Sequence, residues 1–401
     1  MNILVAMGTR PEAIKLFPVI HALKREPNFD VTVCVTAQHR EMLDQVLSIA
    51  DIEPDVDLDL MRPNQSLPQI TSRILTGIDD VLKEAKPDRV LVQGDTTTAM
   101  AAALSAYYRK IPVDHVEAGL RSGDIYSPFP EEVNRKVVGS LASWHFAPTP
   151  RAADALIREN VSPERIIVTG NTVIDALLET EKRIGRFRDI KRAIDDELPD
   201  PGENRRVVLV TAHRRENFDG GMDRIASAIL KLAENEDVLV VYPVHPNPNV
   251  RELMHRVLGN HPYVRLLPPL EYVPFVYLLS RCDFVLTDSG GVQEEAPALG
   301  KPVLVMRDTT ERPEGIDAGT ARLVGTDPHQ IHAEAMRLLR DRAHYQRMSR
   351  AHNPFGDGHA SERILDVLAH GDDAPLLQPR EARAPSLDDL PKINGVTAHV
   401  S

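Results

Sequence analysis

Two carboxylates end strands that the sequence places in one parallel sheet. Asp95 follows the apolar run Arg89–Gln93, and Glu117 follows the run Val113–Val116. Because the carboxyl ends of parallel strands open onto one crevice, both side chains can face the same ligand there. Paired carboxylates drive their pKa values apart, which equips such a crevice for general acid and general base catalysis. For Asp95 alone, the N-cap of a helix over Thr97–Tyr108 is an alternative interpretation.

Glu117 does not stand at the start of a predicted helix, so it has no capping role. A loop bounded by prolines follows it in the chain and supplies two further charges. In that loop Pro130 suits the first turn of a helix. Glu131 and Arg135 then stand four residues apart on one face, where they can pair. An isolated pair of this kind would be a surface ion pair. If the loop instead lies close to Glu117, we expect it to form a mobile edge of an active site.

His213 ends a predicted strand in the second half of the chain and is followed by two arginines. Because a histidine titrates near neutral pH and arginines favour anions, we expect it to assist a phosphate or a leaving group. His245 repeats this location, although a lone histidine at a strand end is more often structural. Neither histidine has the spacing of a metal ligand, so the sequence predicts no catalytic metal.

A glycine turn in the second half is suited to an anion. Ser289, Gly290 and Gly291 follow the apolar run Phe284–Leu286 and precede a segment of helical composition. Backbone N–H groups at a helix N-terminus are unpaired, and glycines let an anion approach them closely. An ordinary strand-to-helix turn would carry the same residues, so the rest of the chain has to decide between the two.

Basic side chains follow strands in both halves of an acidic protein. Arg10 and Lys15 come after the first strand, and Arg307 and Arg312 come after the strand that follows the glycine turn. The formal net charge of −12 argues against nucleic acid or an anionic membrane as a partner. A local cluster of cations in such a chain is what a doubly charged phosphate ligand requires.

Short apolar runs alternate with helical stretches, which predicts an α/β fold with parallel sheets covered on both faces. Charged sequence without apolar strands over residues 179–204 indicates a junction between two domains, residues 1–175 and 176–360. Beyond Leu368 the periodicity ends, and we expect residues 370–401 to form a disordered tail. The predicted strands are Ile3–Met7, Val31–Thr36, Arg89–Gln93, Val113–Val116, Ile166–Thr169, Val207–Thr211, Val238–Val244, Phe284–Thr287 and Pro302–Met306.

Three further features bear on compartment and cofactor. The two cysteines, Cys34 and Cys282, lie in strand-like runs, where a buried free thiol in a reducing compartment is expected. The first residues are too short for a signal peptide, and no apolar run approaches the ~18 residues of a spanning helix, so we expect a cytoplasmic protein. The absence of GxGxxG and of a Walker A motif argues against a dinucleotide cofactor.

Seven blocks, taken together and in order, resemble the non-hydrolysing UDP-N-acetylglucosamine 2-epimerases over about residues 1–365. The resemblance implies two Rossmann-like domains in a GT-B arrangement with the active site in the cleft between them. It also implies a homodimer and a last helix, about 361–369, that returns to the first domain. The blocks are Gly8–Glu12, Gln93–Thr98, His115–Arg121, Pro130–Arg135, Thr211–Asn217, Asp288–Pro297 and Arg307–Glu314.

The same resemblance implies roles for particular residues. Ser289, Gly290 and Gly291 would bind the diphosphate, Glu295 the ribose hydroxyls, and Phe275 would line the uracil pocket. Arg10, His213 and Arg312 would assist with the nucleotide. The predicted substrate-binding set is completed by Lys15, Asp95 and Glu117. The implied catalytic residues are Asp95, Glu117, Glu131, Arg135 and His213.

The implied reaction is the reversible conversion of UDP-GlcNAc into UDP-ManNAc. The hydrogen at C2 is weakly acidic and has no neighbouring carbonyl, so the route is anti elimination of UDP, giving 2-acetamidoglucal, followed by re-addition. A carboxylate takes the C2 proton and another returns one to the opposite face, while cationic donors stabilise the departing UDP. No redox cofactor and no metal are needed.

Three other activities remain compatible with the sequence: a hydrolysing epimerase, a retaining GT-B glycosyltransferase and a catalytically silent nucleotide-sugar sensor. Some bacterial members of the family also bind a second substrate molecule as an activator, through glutamines and an arginine. The corresponding region here is Gln38–Glu41 with Asn64 and Gln65. Glu41 and Asn64 depart from that set, so the sequence leaves activation open.

Overall fold

The computed structural model describes residues 1–36, 40–62, 65–197, 205–235 and 237–371. Within them the strands fall into two parallel sheets. The first half contributes β1 Asn2–Met7, β2 Asp30–Val35, β3 Val56–Asp57, β4 Arg89–Gln93, β5 Val113–Val116, β6 Trp144–Ala147 and β7 Ile166–Val168. The second half contributes β8 Arg206–Thr211, β9 Val238–Pro243, β10 Val264–Leu267, β11 Phe284–Thr287, β12 Val303–Val305 and β13 Ala321–Leu323.

Both sheets are doubly wound, and the strand order identifies where a ligand should lie. The order is β3-β2-β1-β4-β5-β6-β7 in one and β10-β9-β8-β11-β12-β13 in the other. In such sheets the ligand crevice lies outside the carboxyl ends of the strands, where the order reverses. The reversals fall between β1 and β4 and between β8 and β11, so we expect the site at the loops after these strands and after the adjacent strands β5 and β12.

Helices cover both sheets. They are α1 Arg10–Arg25, α2 Arg40–Ile49, α3 Leu67–Ala85, α4 Thr97–Tyr108, α5 Glu131–Leu141, α6 Pro150–Arg158, α7 Thr172–Arg183 and α8 Arg188–Glu197, then α9 Gly221–Ala233, α10 Pro248–Leu258, α11 Tyr272–Arg281, α12 Gly290–Ala298, α13 Pro313–Asp317, α14 Pro328–Arg340, α15 Arg342–Ser349 and α16 Ala360–His370. The inner strands β1, β4, β5, β9 and β11 are almost completely buried, because helices pack on both faces. No helix in the described part of the chain is long and apolar enough to cross a bilayer.

The chain passes between the two sheets twice, and the two crossings lie side by side. Gly170 and Gly356 have φ values of +87° and +143°, and a methyl group built on Gly170 would lie 3.1 Å from the Cα of Gly356. Beyond the second crossing, α16 packs against α1 and α7. The buried carboxylate of Asp175 accepts the first N–H groups of this helix, from Ala360 at 3.2 Å and from Ser361 at 2.8 Å.

The sequence missed four strands, β3, β6, β10 and β13. Each has at most four residues. The sequences of β6, β10 and β13 are Trp-His-Phe-Ala, Val-Arg-Leu-Leu and Ala-Arg-Leu. The polar residue in each interrupts the apolar pattern that identifies buried strands. Both cysteines are buried free thiols as predicted, although Cys282 follows α11 and lies outside β11. The domain limits stay a prediction; α7 spans the proposed division at 175 and 176.

Several expectations lie outside the described residues. The proposed disordered tail falls there from residue 372 onward, because Gly371 is the last described residue. The end of the proposed junction, residues 198–204, is also outside, while its earlier part forms the end of α7 and α8. Of the region considered for a second substrate molecule, residues 37–39 and 63–64 are not described, nor are the side chains of residues 40–42.

Candidate active site

Glu117 lies at the end of β5 in a strained backbone conformation and is surrounded by donors. Its φ of +62° is unusual for a residue with a side chain, and such strain is concentrated at functional sites. Lys15 Nζ lies 2.7 and 2.5 Å from its two carboxylate oxygens, and the side-chain amides of Gln93 and Asn171 also donate to it. Burial raises the pKa of Glu117, but Lys15 reverses this effect, and the pKa lies below its usual range.

Lys15 is positioned by α1, whose start is fixed by a buried glutamate that the sequence analysis did not single out. Glu12 accepts the N–H groups of Gly8 at 3.0 Å and Thr9 at 2.8 Å, and the hydroxyl of Thr96 at 2.6 Å. The Thr-x-x-Glu spacing of a capping box could have identified it. This carboxylate joins the loops after β1 and β4, where the order of the first sheet reverses.

Asp95 lies in the same crevice and does not cap α4. The N-cap is Thr96, whose hydroxyl accepts the N–H of Ala99 at 3.0 Å, so the alternative interpretation of Asp95 was wrong. Instead its Oδ2 lies 2.5 Å from Nη2 of Arg135. Burial raises the pKa of Asp95, Arg135 opposes this and the charge of Glu117 adds to it. The two carboxylates therefore differ in proton affinity.

The predicted pair of Glu131 and Arg135 was wrong. The guanidinium of Arg135 reaches Asp95 and, at 3.2 Å, the carboxylate of Glu132. Glu132 is fully buried and also accepts the N–H of Ser122 at 3.0 Å, which draws Arg135 toward the strand ends. Glu131 is the first residue of α5, is half-buried and has no ion-pair partner among the described residues.

The second sheet is organised around Asp288, a buried carboxylate at the end of β11. It accepts the backbone N–H groups of His213 and Arg214 at 2.9 and 2.8 Å and the amide of Asn217 at 3.1 Å. The loop after β8 is thereby fixed to the end of β11. The ring of His213 stacks on that of His245, with 5.1 Å between centroids and 12° between planes. Burial lowers the pKa of His213, and Asp288 opposes the effect.

A cavity of about 230 Å³ opens between these loops. Its walls are mainly apolar, with the two stacked histidines, a threonine and a serine as polar residues, which suits a flat heterocyclic base. Of the predicted nucleotide residues it brings together His213, Phe275 and Ser289. The lining residues are Thr211, Ala212, His213, Pro243, Val244, His245, Pro246, Pro269, Leu270, Phe275, Ser289 and Val292.

The N-terminus of α12 begins at Gly290, after Ser289, and a carboxylate lies directly over it. A methyl group built on Gly290 would lie 2.8 Å from Oε1 of Glu311 and 3.5 Å from Nη2 of Arg214. Glu311 pairs with Arg214 at 2.8 Å and also with Arg307. Arg307, expected beside the anion, is therefore held by Glu311 and by Glu216, whose Oε1 is 2.6 Å from its Nε.

The next residues of α12 connect the two halves. Glu294 is buried, pairs with Arg312 and accepts the amide of Asn171 at 2.7 Å. Its neighbour Glu295 is half-buried; burial and the charge of Glu294 raise the pKa of Glu295 to about 8, while Lys15 and Arg10 lower it. The cations of α1 thus face the carboxylates of α12 across the crevice.

The structure brings the predicted residues together in two connected groups. Lys15, Asp95, Glu117 and Arg135 form one, and the α12 turn with the base-sized cavity forms the other. The sequence analysis missed the connection, because Asn171 and Glu294 are 123 positions apart and Asn171 belongs to none of the seven blocks. Among the described residues, no group of three or more potential ligands is arranged to hold a metal ion.

A sequence profile described as UDP-N-acetylglucosamine 2-epimerase matches residues 21–369. The chain belongs to that family. A UDP-N-acetylglucosamine 2-epimerase of Salmonella typhimurium is 55% identical to it over 369 residues, covering 92% of this chain and 98% of the relative. The UDP-N-acetylglucosamine 2-epimerase of Bacillus subtilis is 52% identical over 369 residues, covering 92% and 95%.

The structure agrees with this membership of the UDP-N-acetylglucosamine 2-epimerase family. The crystal structure of the Neisseria meningitidis enzyme bound to UDP-GlcNAc has a TM-score of 0.83 and 49% identity, with 92% of this chain and 100% of that chain covered. The family predicted from seven sequence blocks is therefore confirmed, and so is the fold of two parallel-sheet α/β domains.

Proposed function

We propose that this chain interconverts UDP-N-acetylglucosamine and UDP-N-acetylmannosamine by inverting C2 of the sugar. The observation that carries the proposal is the pairing of unlike carboxylates in one crevice. Glu117 has a lowered pKa and Asp95 a raised one, and Asn171 connects Glu117 to the helix expected to hold the diphosphate. One carboxylate is thus ready to accept a proton and the other to hold one.

In the forward direction Glu117 takes the proton from C2. The electrons of the C2–H bond form a C1–C2 double bond, and the bond from C1 to the phosphate oxygen breaks, so UDP leaves with its electron pair. UDP then adds back to C1 of 2-acetamidoglucal, and a proton is delivered to the opposite face of C2. Asp95 is suited to that delivery because burial favours its protonated form. Glu131, at the start of α5, Arg135, paired with Asp95, and His213, after β8, complete the proposed catalytic set.

UDP is proposed to span the second group of residues. The base enters the cavity beside Phe275, and the diphosphate meets the N-terminus of α12 at Ser289, Gly290 and Gly291. Glu295 accepts the ribose hydroxyls. Arg10, Arg312 and His213 stabilise the charge of the departing UDP, as preorganised donors do at other developing anions.

The test is to incubate the protein with UDP-GlcNAc in D₂O and follow the products by proton and phosphorus NMR. We expect UDP-ManNAc with deuterium at C2 and an equilibrium mixture of both nucleotide sugars. Free UDP in stoichiometric amount, without UDP-ManNAc, would indicate a hydrolysing epimerase. Binding of UDP-GlcNAc without any turnover would indicate a nucleotide-sugar sensor.

Two further parts of the proposal concern the state of the protein. It acts as a homodimer, which light scattering of the purified chain tests directly. It works in the cytoplasm, where the buried thiols of Cys34 and Cys282 stay reduced. Fractionation of cells that produce the chain distinguishes this location from an exported one.

A further inference from the structure

Asn171 lies where the chain first crosses between the sheets, and its side chain contacts a carboxylate from each half. The residue is 2% exposed. Its Nδ2 donates to Glu117 Oε1 at 3.2 Å and to Glu294 Oε2 at 2.7 Å. Its Oδ1 accepts the N–H of Val173 at 3.2 Å, which makes Asn171 the N-cap of α7. One amide thus binds both halves of the site and starts the helix between them.

Capping alone does not explain this residue. Asn, Asp and Ser cap a helix about equally well, because only an acceptor oxygen is needed. The cap does not need the two N–H donors of the amide, and both donate hydrogen bonds to buried carboxylates. An aspartate would cap α7 as well but would place a third carboxylate between Glu117 and Glu294. The two carboxylates, and not the cap of α7, therefore explain why residue 171 is an amide.

The crossing also holds Asn171 from its backbone side. Its N–H donates to the carbonyl oxygen of Phe355 at 2.7 Å, on the returning segment. In that segment Asn353 donates its amide to the backbone oxygen of Glu294 at 3.1 Å. Both crossings thus converge on α12 and fix the amide between the acids. A residue that is fixed through its backbone and through its side chain can hold its hydrogen-bond partners in one orientation.

We propose that Asn171 is a positioning residue for the epimerisation: its amide keeps Glu117 ionised and oriented, and ties that carboxylate to the helix that holds UDP. The inference rests on the proposed function and adds a residue to it. A hydrogen bond donated to a carboxylate favours the charged form, so removal of the donor raises the proton affinity of Glu117. Because Glu117 is buried and 7% exposed, water does not replace the lost donor.

Other charged groups also face Glu117, and they set the background against which the amide acts. Lys15, Arg312 and Arg135 favour its charged form, while Asp95 and Glu294 disfavour it. None of them changes in the variants proposed below. The groups that face Glu117 are Lys15 on α1, Asp95 after β4, His115 on its own strand, Arg135 on α5, Glu294 on α12 and Arg312 before α13.

The experiment compares Asn171→Asp and Asn171→Ser with wild type. Both variants keep the cap of α7 and remove the amide donors, and the aspartate adds a charge. The control is Asn247→Asp, because Asn247 caps α10 through the same kind of bond, from Asn249 N–H at 3.0 Å, and has no carboxylate partner in the part of the chain that the structure describes. For each protein the measurements are kcat/KM between about pH 4 and pH 9, which includes the acidic limb of a carboxylate whose pKa is lowered, kcat and KM separately, and the melting temperature.

We expect the acidic limb of the kcat/KM profile to move to higher pH by about one unit in Asn171→Asp and by less in Asn171→Ser. At pH 7 kcat should fall about tenfold to a hundredfold, the range for a hydrogen bond to a charged group, with a smaller change in KM. The control should retain the wild-type profile. A role limited to folding would lower the melting temperature and leave the position of the limb unchanged.

The inference is overturned if the acidic limb of both variants coincides with that of wild type while wild type is active. If Asn171→Asp fails to fold, Asn171→Ser decides by the same criterion. A wild-type chain that forms no UDP-ManNAc overturns the proposed function itself, and this is established before any variant is compared. The two failures are therefore distinguishable.

Discussion

The two acids that we propose to transfer protons at C2 are each held by a partner from another part of the chain. Glu117 is bound by Lys15, which comes from α1, and Asp95 by Arg135, which comes from α5. The positions of the two acids could be predicted, because every strand end of a parallel sheet opens onto the same edge. Their partners could not, because choosing among several nearby side chains requires the three-dimensional arrangement. Arg135 shows this, since it prefers Asp95 and Glu132 to the predicted Glu131.

Replacement of Glu117 by Gln should abolish epimerisation and leave UDP binding nearly intact. The variant retains the shape of the side chain but cannot accept the C2 proton, so we expect kcat to fall by about 10³-fold or more. UDP affinity, measured by calorimetry, should stay within about threefold, because Glu117 lies with the sugar and not with the nucleotide.

The matched control for that variant is Glu159→Gln. Glu159 forms an ion pair with Arg121 at 2.7 Å in the same half of the protein and has no role in the proposed reaction. We expect normal turnover and normal UDP affinity. A large loss of UDP affinity in Glu117→Gln, with the control unaffected, would show that Glu117 has a structural role instead.

The pH dependence of UDP binding should report on Glu295. Burial raises its pKa to about 8, so it is largely protonated at pH 7, whereas accepting two ribose hydroxyls favours the ionised form. Binding near pH 7 must therefore release a proton. We expect the dissociation constant of UDP to fall by up to about tenfold per unit between pH 7 and pH 8 and then to level off.

Calorimetry in buffers of different ionisation enthalpy measures that proton directly. In Glu295→Gln the proton release above pH 7 should disappear, and UDP should bind more weakly at pH 8.5 than it does to wild type. If UDP binding to wild type releases no proton at pH 7, the ionised carboxylate of Glu295 does not bind the ribose hydroxyls.

At the scale of elements, the site depends on the loops around the two points where the sheet order reverses, which follow β1, β4 and β5 in the first sheet and β8, β11 and β12 in the second. The long Val- and Ile-rich strands that precede these loops were predicted, because a strand buried on both faces is a continuous apolar run. The short outer strands β6, β10 and β13 were not, since arginine, histidine or tryptophan interrupts them. The missed strands lie toward sheet edges, away from the reversals, so the site could be located without them.

The N-terminus of α12 leads to a prediction about Glu311. Its carboxylate lies over Gly290, where the diphosphate is proposed to bind, and it holds Arg214 and Arg307. An entering diphosphate has to displace this anion. We expect Glu311→Gln to tighten UDP binding about threefold to tenfold, because a neutral amide competes less for the helix terminus and the arginines.

The control is Glu216→Gln, which removes the other carboxylate that pairs with Arg307. The three heavy atoms nearest to a methyl group built on Gly290 belong to Glu311 and Arg214 and not to Glu216. Calorimetry with UDP on wild type and both variants separates the effects. Equal tightening in both would trace the gain to Arg307 alone. Weaker binding in Glu311→Gln would mean that Glu311 orients the arginines for UDP and does not compete with it.

At the scale of the whole molecule, two halves are joined by α7, by α16 and by two adjacent crossings. α7 packs against α1 on one side and against α11 and α12 on the other. Although the chain is acidic overall, cations from both halves face the shared crevice, where Lys15 and Arg10 oppose the effect of burial on Glu295. The family resemblance implied a returning last helix; the composition of residues 360–370 alone would not have indicated where it packs.

Asp175 should be important for holding that last helix. Its buried carboxylate accepts the N–H groups of Ala360 and Ser361, which Asp175→Ala would leave unpaired. We expect a loss of about 1–3 kcal/mol in the free energy of unfolding, measured with urea, and faster hydrogen exchange in α16. Exchange in the second sheet should not change.

For comparison, Asp327→Ala removes the N-cap of α14, where the carboxylate accepts the N–H of His329 at 2.8 Å. This exposed cap should contribute about 1 kcal/mol, with faster exchange confined to α14. If α16 exchanges at the wild-type rate in Asp175→Ala, the helix is held by its apolar face alone.

The path of α16 has a consequence for how the protein is made. Its Ile364, Val367 and Leu368 belong to the same core cluster as Phe17 and Ile20 of α1, although the whole second sheet is synthesised between them. A ribosome adding about 5–20 residues per second thus completes the second half before the first receives its last helix. The first half therefore begins to form first and is completed last. Until α16 has been synthesised, the apolar face of α1 that it covers is packed against α7 alone or is exposed to chaperones.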